Sequence, residues 1–127
     1  MNLLIDTHVL IGFITNDKKL PVNLKGLIEN KENKCFVSIV SYWEMSIKYA
    51  LGRLELGVDL KRIFDIIDET GFDTLPITVK HIVFNSKLKF YHRDPFDKLL
   101  IAQAQSEELI ILTKDEYFKK YKVKILS

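Results

Sequence analysis

The chain has one cysteine, Cys35, three prolines and five glycines in 127 residues. A lone thiol allows no internal disulfide, so packing must hold the fold, and a reducing cytoplasm is the expected compartment. So few prolines and glycines argue against a low-complexity chain, and a 47% hydrophobic composition argues against a disordered one. Long apolar runs are missing as well. Stretches such as Leu109 to Leu112 last a few residues, far short of the ~20 needed to cross a bilayer, so no membrane association is expected. Met1-Asn2 leads directly into Leu3-Leu4-Ile5-Asp6 with no basic stretch ahead of an apolar one, and no secretory signal is expected. An excess of one charge is absent too: 19 Lys+Arg against 17 Asp+Glu leave a net +2, too little for bulk charge alone to announce a nucleic-acid binder.

What the chain does have is regular alternation. Leu3-Leu4-Ile5 and Cys35-Phe36-Val37 read as buried strands, Leu75-Pro76-Ile77 as an edge strand, and Leu109–Leu112 and Val123–Leu126 as the last two. Between them, helical spacing marks Val9–Ile14, a helix opened by Pro21, and Ser41–Leu51 with Trp43, Ile47, Ala50 and Leu51 on one face and Gly52 closing it. Further helices surround Leu60–Ile67, ending at Gly71, follow a Thr78 cap, and run from Pro95 to about Gln105. Strands alternating with helices predict an α/β fold, a central mostly parallel sheet flanked by helices, in one domain spanning 1–127. The charge distribution adds a basic tail, with five lysines between Lys114 and Lys124, and Lys87, Lys89, Arg93 and Lys98 near one another in sequence. Such runs are either a solvated face or a contact for anions.

Four carboxylates stand out. Asp6 and Asp115 each follow an aliphatic strand, Asp115 after Thr113-Lys114. In a parallel sheet the carboxyl ends of the strands share one rim, where open α/β folds bind ligands. Either acid alone could simply cap the turn that follows it. Asp97 lies three residues after Asp94, which Pro95 marks as the helix cap. Asp97 also heads a stripe with Leu100, Ile101 and Ala104 that faces the core. A carboxylate there must be paired, metal-bound or neutral, unless it satisfies first-turn amides. Glu44 fits a capping box with Ser41 and an ion pair with Lys48, and it also neighbours the apolar positions Val40, Ile47 and Leu51. No HxxxH or CxxC spacing accompanies these acids, so the pattern does not ask for zinc. An all-oxygen acidic cluster suits Mg²⁺ or Mn²⁺ and, with it, hydrolysis at a phosphate.

Leu4-Ile5-Asp6-Thr7-His8-Val9-Leu10, Ser41-Tyr42-Trp43-Glu44-Met45-Ser46-Ile47-Lys48 with Gly52-Arg53-Leu54, His92 to Ala104, and Leu112-Thr113-Lys114-Asp115 together resemble a PIN domain. Within that family they resemble the VapC-type ribonuclease toxins of bacterial toxin–antitoxin modules. The resemblance spans almost the whole chain and implies a PIN-like three-layer sandwich. It also implies a Mg²⁺- or Mn²⁺-dependent endoribonuclease acting on RNA, homodimerisation, and a cognate antitoxin that covers the acidic site. Carried over position by position, the catalytic and metal-binding acids fall on Asp6, Glu44, Asp97 and Asp115. Thr7 and Thr113 match small hydroxyl positions beside the first and last acids. Lys48, Arg53 and Arg93 are the candidates for contacting RNA phosphate, although Lys48 also balances Glu44. His8 and His92 are expected to pack or face solvent rather than ligate, and Trp43 and Phe96 are expected in the core.

Two other functions compete. A HAD-type phosphotransfer enzyme would use Asp6 as its nucleophile, but the second Asp it needs two residues later is His8 here. A catalytically inactive binding module of the same fold has no evident use for four inward-leaning acids.

Overall fold

The computed structural model describes residues 1–90 and 94–127. Arg93 and His92 lie outside the described residues. Along the chain run β1 (Asn2–Ile5), α1 (Thr7–Ile14), α2 (Val22–Glu29), β2 (Lys34–Ser38), α3 (Ile39–Ala50), α4 (Leu60–Thr70), β3 (Asp73–Leu75), α5 (Val79–Ser86), α6 (Pro95–Glu107) and β4 (Ile110–Leu112). A short 3₁₀ turn (Glu116–Lys120) and β5 (Ile125–Leu126) complete it.

The strands form one sheet in the order β3-β2-β1-β4-β5, parallel at every pairing. Because side chains alternate across a strand, β1 sends Leu3 and Ile5 to one face and Leu4 to the other, all fully buried. On the first face they meet Val9, Leu10, Leu24, Ile28, Ile63 and Ile67 from α1, α2 and α4. On the second, Leu4 and Ile111 meet Leu100, Ile101 and Ala104 of α6 together with Phe118. This is the three-layer α/β sandwich expected. Each fully buried Leu or Ile contributes ~1.5–3 kcal/mol relative to exposure, so β1, covered on both faces, is the most firmly held strand. Helix α3 gives Val40 to one core and Met45 to the other and therefore crosses the carboxyl edge of the sheet.

The structure corrects three readings of the sequence. The edge strand ends at Leu75 rather than including Pro76 and Ile77, because proline has no N–H for the ladder. Ser38, not Ser41, caps α3, accepting from the Val40 amide at 3.0 Å. Ser41 thus lies inside the helix and cannot form a capping box with Glu44. The apolar face expected for this helix points outward: Trp43 is 52% and Leu51 61% exposed, while the buried face carries Val40, Ser41, Glu44 and Met45. Trp43 meets the half-buried Phe96 edge to face, with ring centroids 5.0 Å apart. Neither ring is a core residue in the sense expected.

Candidate active site

The strand order reverses at β1. The chain moves outward from β1 to β2 and β3, then returns to place β4 on its other side. In open α/β sheets such a switch point leaves a crevice between the two carboxyl ends. Asp6 is the first residue past β1 and Thr113 the first past β4, with Ile5 and Leu112 paired in register behind them. The Thr113 hydroxyl donates to Asp6 Oδ2 at 2.6 Å, across 107 residues of chain. Asp6 Oδ1 accepts from the His8 amide at 3.2 Å as the cap of α1. A carboxylate so held keeps a fixed orientation.

Three more acids gather around this point. Glu44 lies mid-way along α3 with no exposed surface. Its Oε2 is bonded by the Lys48 ammonium, and among the described residues its buried Oε1 has no hydrogen-bond partner. Leaving such an oxygen unsatisfied costs ~1–3 kcal/mol or more for a charged group, so stability alone does not explain it. Asp97 is the third residue of α6 and is also buried. Asp94 takes the helix cap in its place, accepting from the Phe96 and Asp97 amides at 2.9 and 3.2 Å. Burial, then the negative charges of Asp6, Asp94 and Glu44, push the Asp97 carboxyl up to about 8, with His8 opposing. That ordering of causes places Asp6, Glu44 and Asp97 in one electrostatic field.

Asp115 joins less directly. Its amide donates to the Thr113 hydroxyl at 3.0 Å, and its Oδ1 accepts from the Tyr117 amide at 2.9 Å, capping the 3₁₀ turn. One buried hydroxyl therefore links the first and last acids. The expected single cup is looser than the sequence suggested. Among the described residues, no three His, Cys, Asp or Glu side chains converge closely enough to hold one metal ion as they stand. The physical reason is that Glu44 leans to Lys48 and Asp115 to the Tyr117 amide. The donor set nonetheless fits a hard divalent ion: it is all oxygen, the buried Glu44 Oε1 lacks a donor among the described residues, and burial together with crowded negative charge suppresses ionisation of Asp97.

The hydroxyls expected to meet substrate are enclosed instead. Thr7 is buried with its Oγ1 2.7 Å from the Ser41 Oγ, tying α1 to α3, and Thr113 has no exposed surface. Lys48 is half-buried against Glu44, while Arg53 is exposed. His8 is exposed, its Nδ1 3.8 Å from Asp6 Oδ1, and the Asp6 carboxylate raises its pKa.

A buried polar chain behind the site was not foreseen. Ser38 donates to Gln103 Oε1 at 2.5 Å, and Gln103 Nε2 donates to the Pro76 carbonyl at 3.2 Å and sits 3.3 Å from His81 Nδ1. His81 Nδ1 accepts from the Thr78 amide at 3.1 Å, which leaves Nε2 to donate to Glu107 at 2.9 Å. Gln103 continues the buried face of α6, and a glutamine amid that stripe is the one sequence signal that marked it.

A family model described as PIN domain matches residues 3–124. No curated protein matches the sequence. Among solved structures, VapBC-1 from nontypeable Haemophilus influenzae is 18% identical with a TM-score of 0.74, covering 100% of this chain and 98% of that one. A DNA-bound VapBC from Salmonella typhimurium is 14% identical with a TM-score of 0.72, over 99% of this chain and 97% of that one. VapBC2 from Rickettsia felis, bound to a DNA fragment from its promoter, is 15% identical with a TM-score of 0.71, over 99% and 98%. At such identity these neighbours establish the fold.

Proposed function

The chain belongs to the PIN domain family, and from that premise we propose that it is a divalent-metal-dependent endoribonuclease, the toxin of a toxin–antitoxin pair. The observation that carries the reading is the convergence of Asp6, Glu44 and Asp97, from β1, α3 and α6, in one buried field. Asp115 is tied in through Thr113.

Asp6, Asp97, Asp115 and Glu44 would hold Mg²⁺ or Mn²⁺. When bound, such an ion neutralises charge building on the scissile phosphate and acidifies the attacking water. The chain's own residues arrange the rest. Thr113 fixes the carboxylate plane of Asp6, and Asp94 relieves Asp97 of capping α6. Lys48 holds one oxygen of Glu44 and leaves the other buried and without a hydrogen-bond partner among the described residues. Arg53 is open to solvent beside this cluster and supplies cationic charge for RNA phosphate; Arg93 is proposed for the same role on sequence grounds. Phosphate contacts of this kind position the strand and carry no sequence information.

The solved neighbours are VapBC complexes, which supports a protein antitoxin as the partner. Exposed apolar side chains on α3 and α5, including Ile39, Trp43 and Val79, support pairing with a second copy. Among the described residues no helix is long and apolar enough to cross a membrane, in keeping with action in the cytoplasm.

Incubating structured RNAs with the protein in Mg²⁺, Mn²⁺ or EDTA tests the reading, alongside Asp6→Asn and Asp97→Asn. Cleavage is expected only with metal and is lost in both variants. Cleavage persisting in EDTA, or a phosphoaspartate trapped at Asp6, would overturn it.

A further inference from the structure

Glu44 has no exposed surface and belongs to the buried face of α3. A charge so placed is costly unless one of opposite sign sits beside it. Lys48, one turn later on the same helix, supplies that charge by bonding Oε2. The order along the helix, acid first and base second, is the favoured one for such a pair. Oε1 stays buried and without a hydrogen-bond partner among the described residues. Lys48 thus balances the charge of Glu44 and satisfies only half of its oxygens.

The pair also acts on the acids around it. The His8 pKa is raised first by the bond to Asp6, against some desolvation; among the weaker influences Lys48 lowers it and Glu44 raises it. Asp97 is pushed up by burial and then by Asp6, Asp94 and Glu44. Lys48 and Glu44 therefore share one field with Asp6 and Asp97. The two ends of the pair differ in freedom. Glu44 is sealed in, whereas the Lys48 side chain is 31% exposed and lines an open cavity of about 410 Å³ with His8, Ile11 and Gly12. A lysine on a flexible stem can turn its head into water; Glu44 has no such exit.

We propose that Lys48 is a built-in rival of the divalent cation, the two competing for Glu44. In the metal-free protein the ammonium compensates Glu44 and occupies Oε2. On loading, the hydrogen bond between Lys48 and Glu44 breaks, a bond between Glu44 and the metal forms, the ammonium turns to solvent, and no proton moves. This exchange accounts for acids that share a field yet, among the described residues, do not close around an ion as they stand. Because it needs the ion of the proposed nuclease, the exchange rests on that reading; it adds that a cation of the chain itself sets the ion's affinity.

Calorimetric titration of the full chain with MnCl₂ alone provides the test, with RNA cleavage followed separately. Lys48→Met removes the ammonium at nearly constant length and is expected to tighten Mn²⁺ binding. The gain should be ~10-fold larger with Glu44 in place than in a Glu44→Gln background, the worth of a hydrogen bond between charged groups. An equal gain in both backgrounds would show that Lys48 only repels the ion through space and would overturn the proposal, as would no gain. Should Lys48→Met fail to fold, a crystal structure of the wild type soaked in MnCl₂ decides. Lys48 Nζ is then expected beyond hydrogen-bond reach of Glu44, and Mn²⁺ on the acids with that bond intact overturns the competition. Uptake of no Mn²⁺ by wild type or variant removes both this proposal and the nuclease reading. Competition without any RNA cleavage leaves Lys48 its role and removes the nuclease reading; Mn²⁺-dependent cleavage with binding indifferent to Lys48 does the reverse.

Discussion

Asp97 carries a consequence at the scale of one residue. Its carboxyl is raised to about 8 in the fold, whereas in the unfolded chain it titrates at ~3.9. Between those values the folded state binds more protons than the unfolded one, so this group makes stability fall as pH rises through the window. His8, whose pKa is raised beside Asp6, acts in the same direction: its contribution is present below its ordinary value and is lost as pH rises past the folded one. Asp97→Asn removes the first effect. In EDTA the variant should melt higher than the wild type at pH 8 and at about the same temperature at pH 4, each kcal/mol recovered being worth roughly 3–5 °C at this size. A variant that melts lower at pH 8 would show that Asp97 is not strained by its neighbours. The burial of Asp97 was readable from its stripe with Leu100, Ile101 and Ala104. The ion pair of Glu44 with Lys48 and its inward lean were readable too; its capping box with Ser41 was misread, because Ser38 and Ser41 are both able to cap, and only the point where β2 stops decides between them.

At the scale of elements, α3 departs from the usual pattern. Hydrophobic periodicity assumes that the inward face is the apolar one, yet α3 turns Ser41 and Glu44 inward beside Val40 and Met45, and leaves Trp43 outward. Local rules fail where a site needs polar groups, so the strands and helices were legible from spacing while the facing of α3 was not. What holds α3 in this posture is the buried chain from Ser38 through Gln103 to His81, which binds the start of α3 to α5 and α6. Gln103→Leu keeps the volume but strands the Ser38 hydroxyl and the Pro76 carbonyl. It should destabilise by about 1–3 kcal/mol in urea unfolding and lower RNA cleavage beyond what the reduced stability explains. Full activity in the folded variant would show that α3 needs no such anchor.

For the whole molecule, the parallel sheet and its reversal at β1 decide where the acids meet. The alternation of strands and helices made the sheet predictable, but strand order is a property of three-dimensional packing and was not. A site assembled from mutually repelling acids gives the fold a use for a cation. Mg²⁺ or Mn²⁺ at 100 times its dissociation constant should stabilise by ~2.7 kcal/mol, seen as a rise in melting temperature that EDTA reverses and that Asp6→Asn abolishes. No shift with either ion would remove the metal from the proposed site. The bond between Thr113 and Asp6 spans 107 residues, and β1 gains its second neighbour only from β4. A nascent chain leaving the ribosome therefore carries Asp6 outside long before the segment that orients it has emerged. Under the nuclease reading, the acids cannot act together until the region around Thr113 and Asp115 has been made and has packed beside β1.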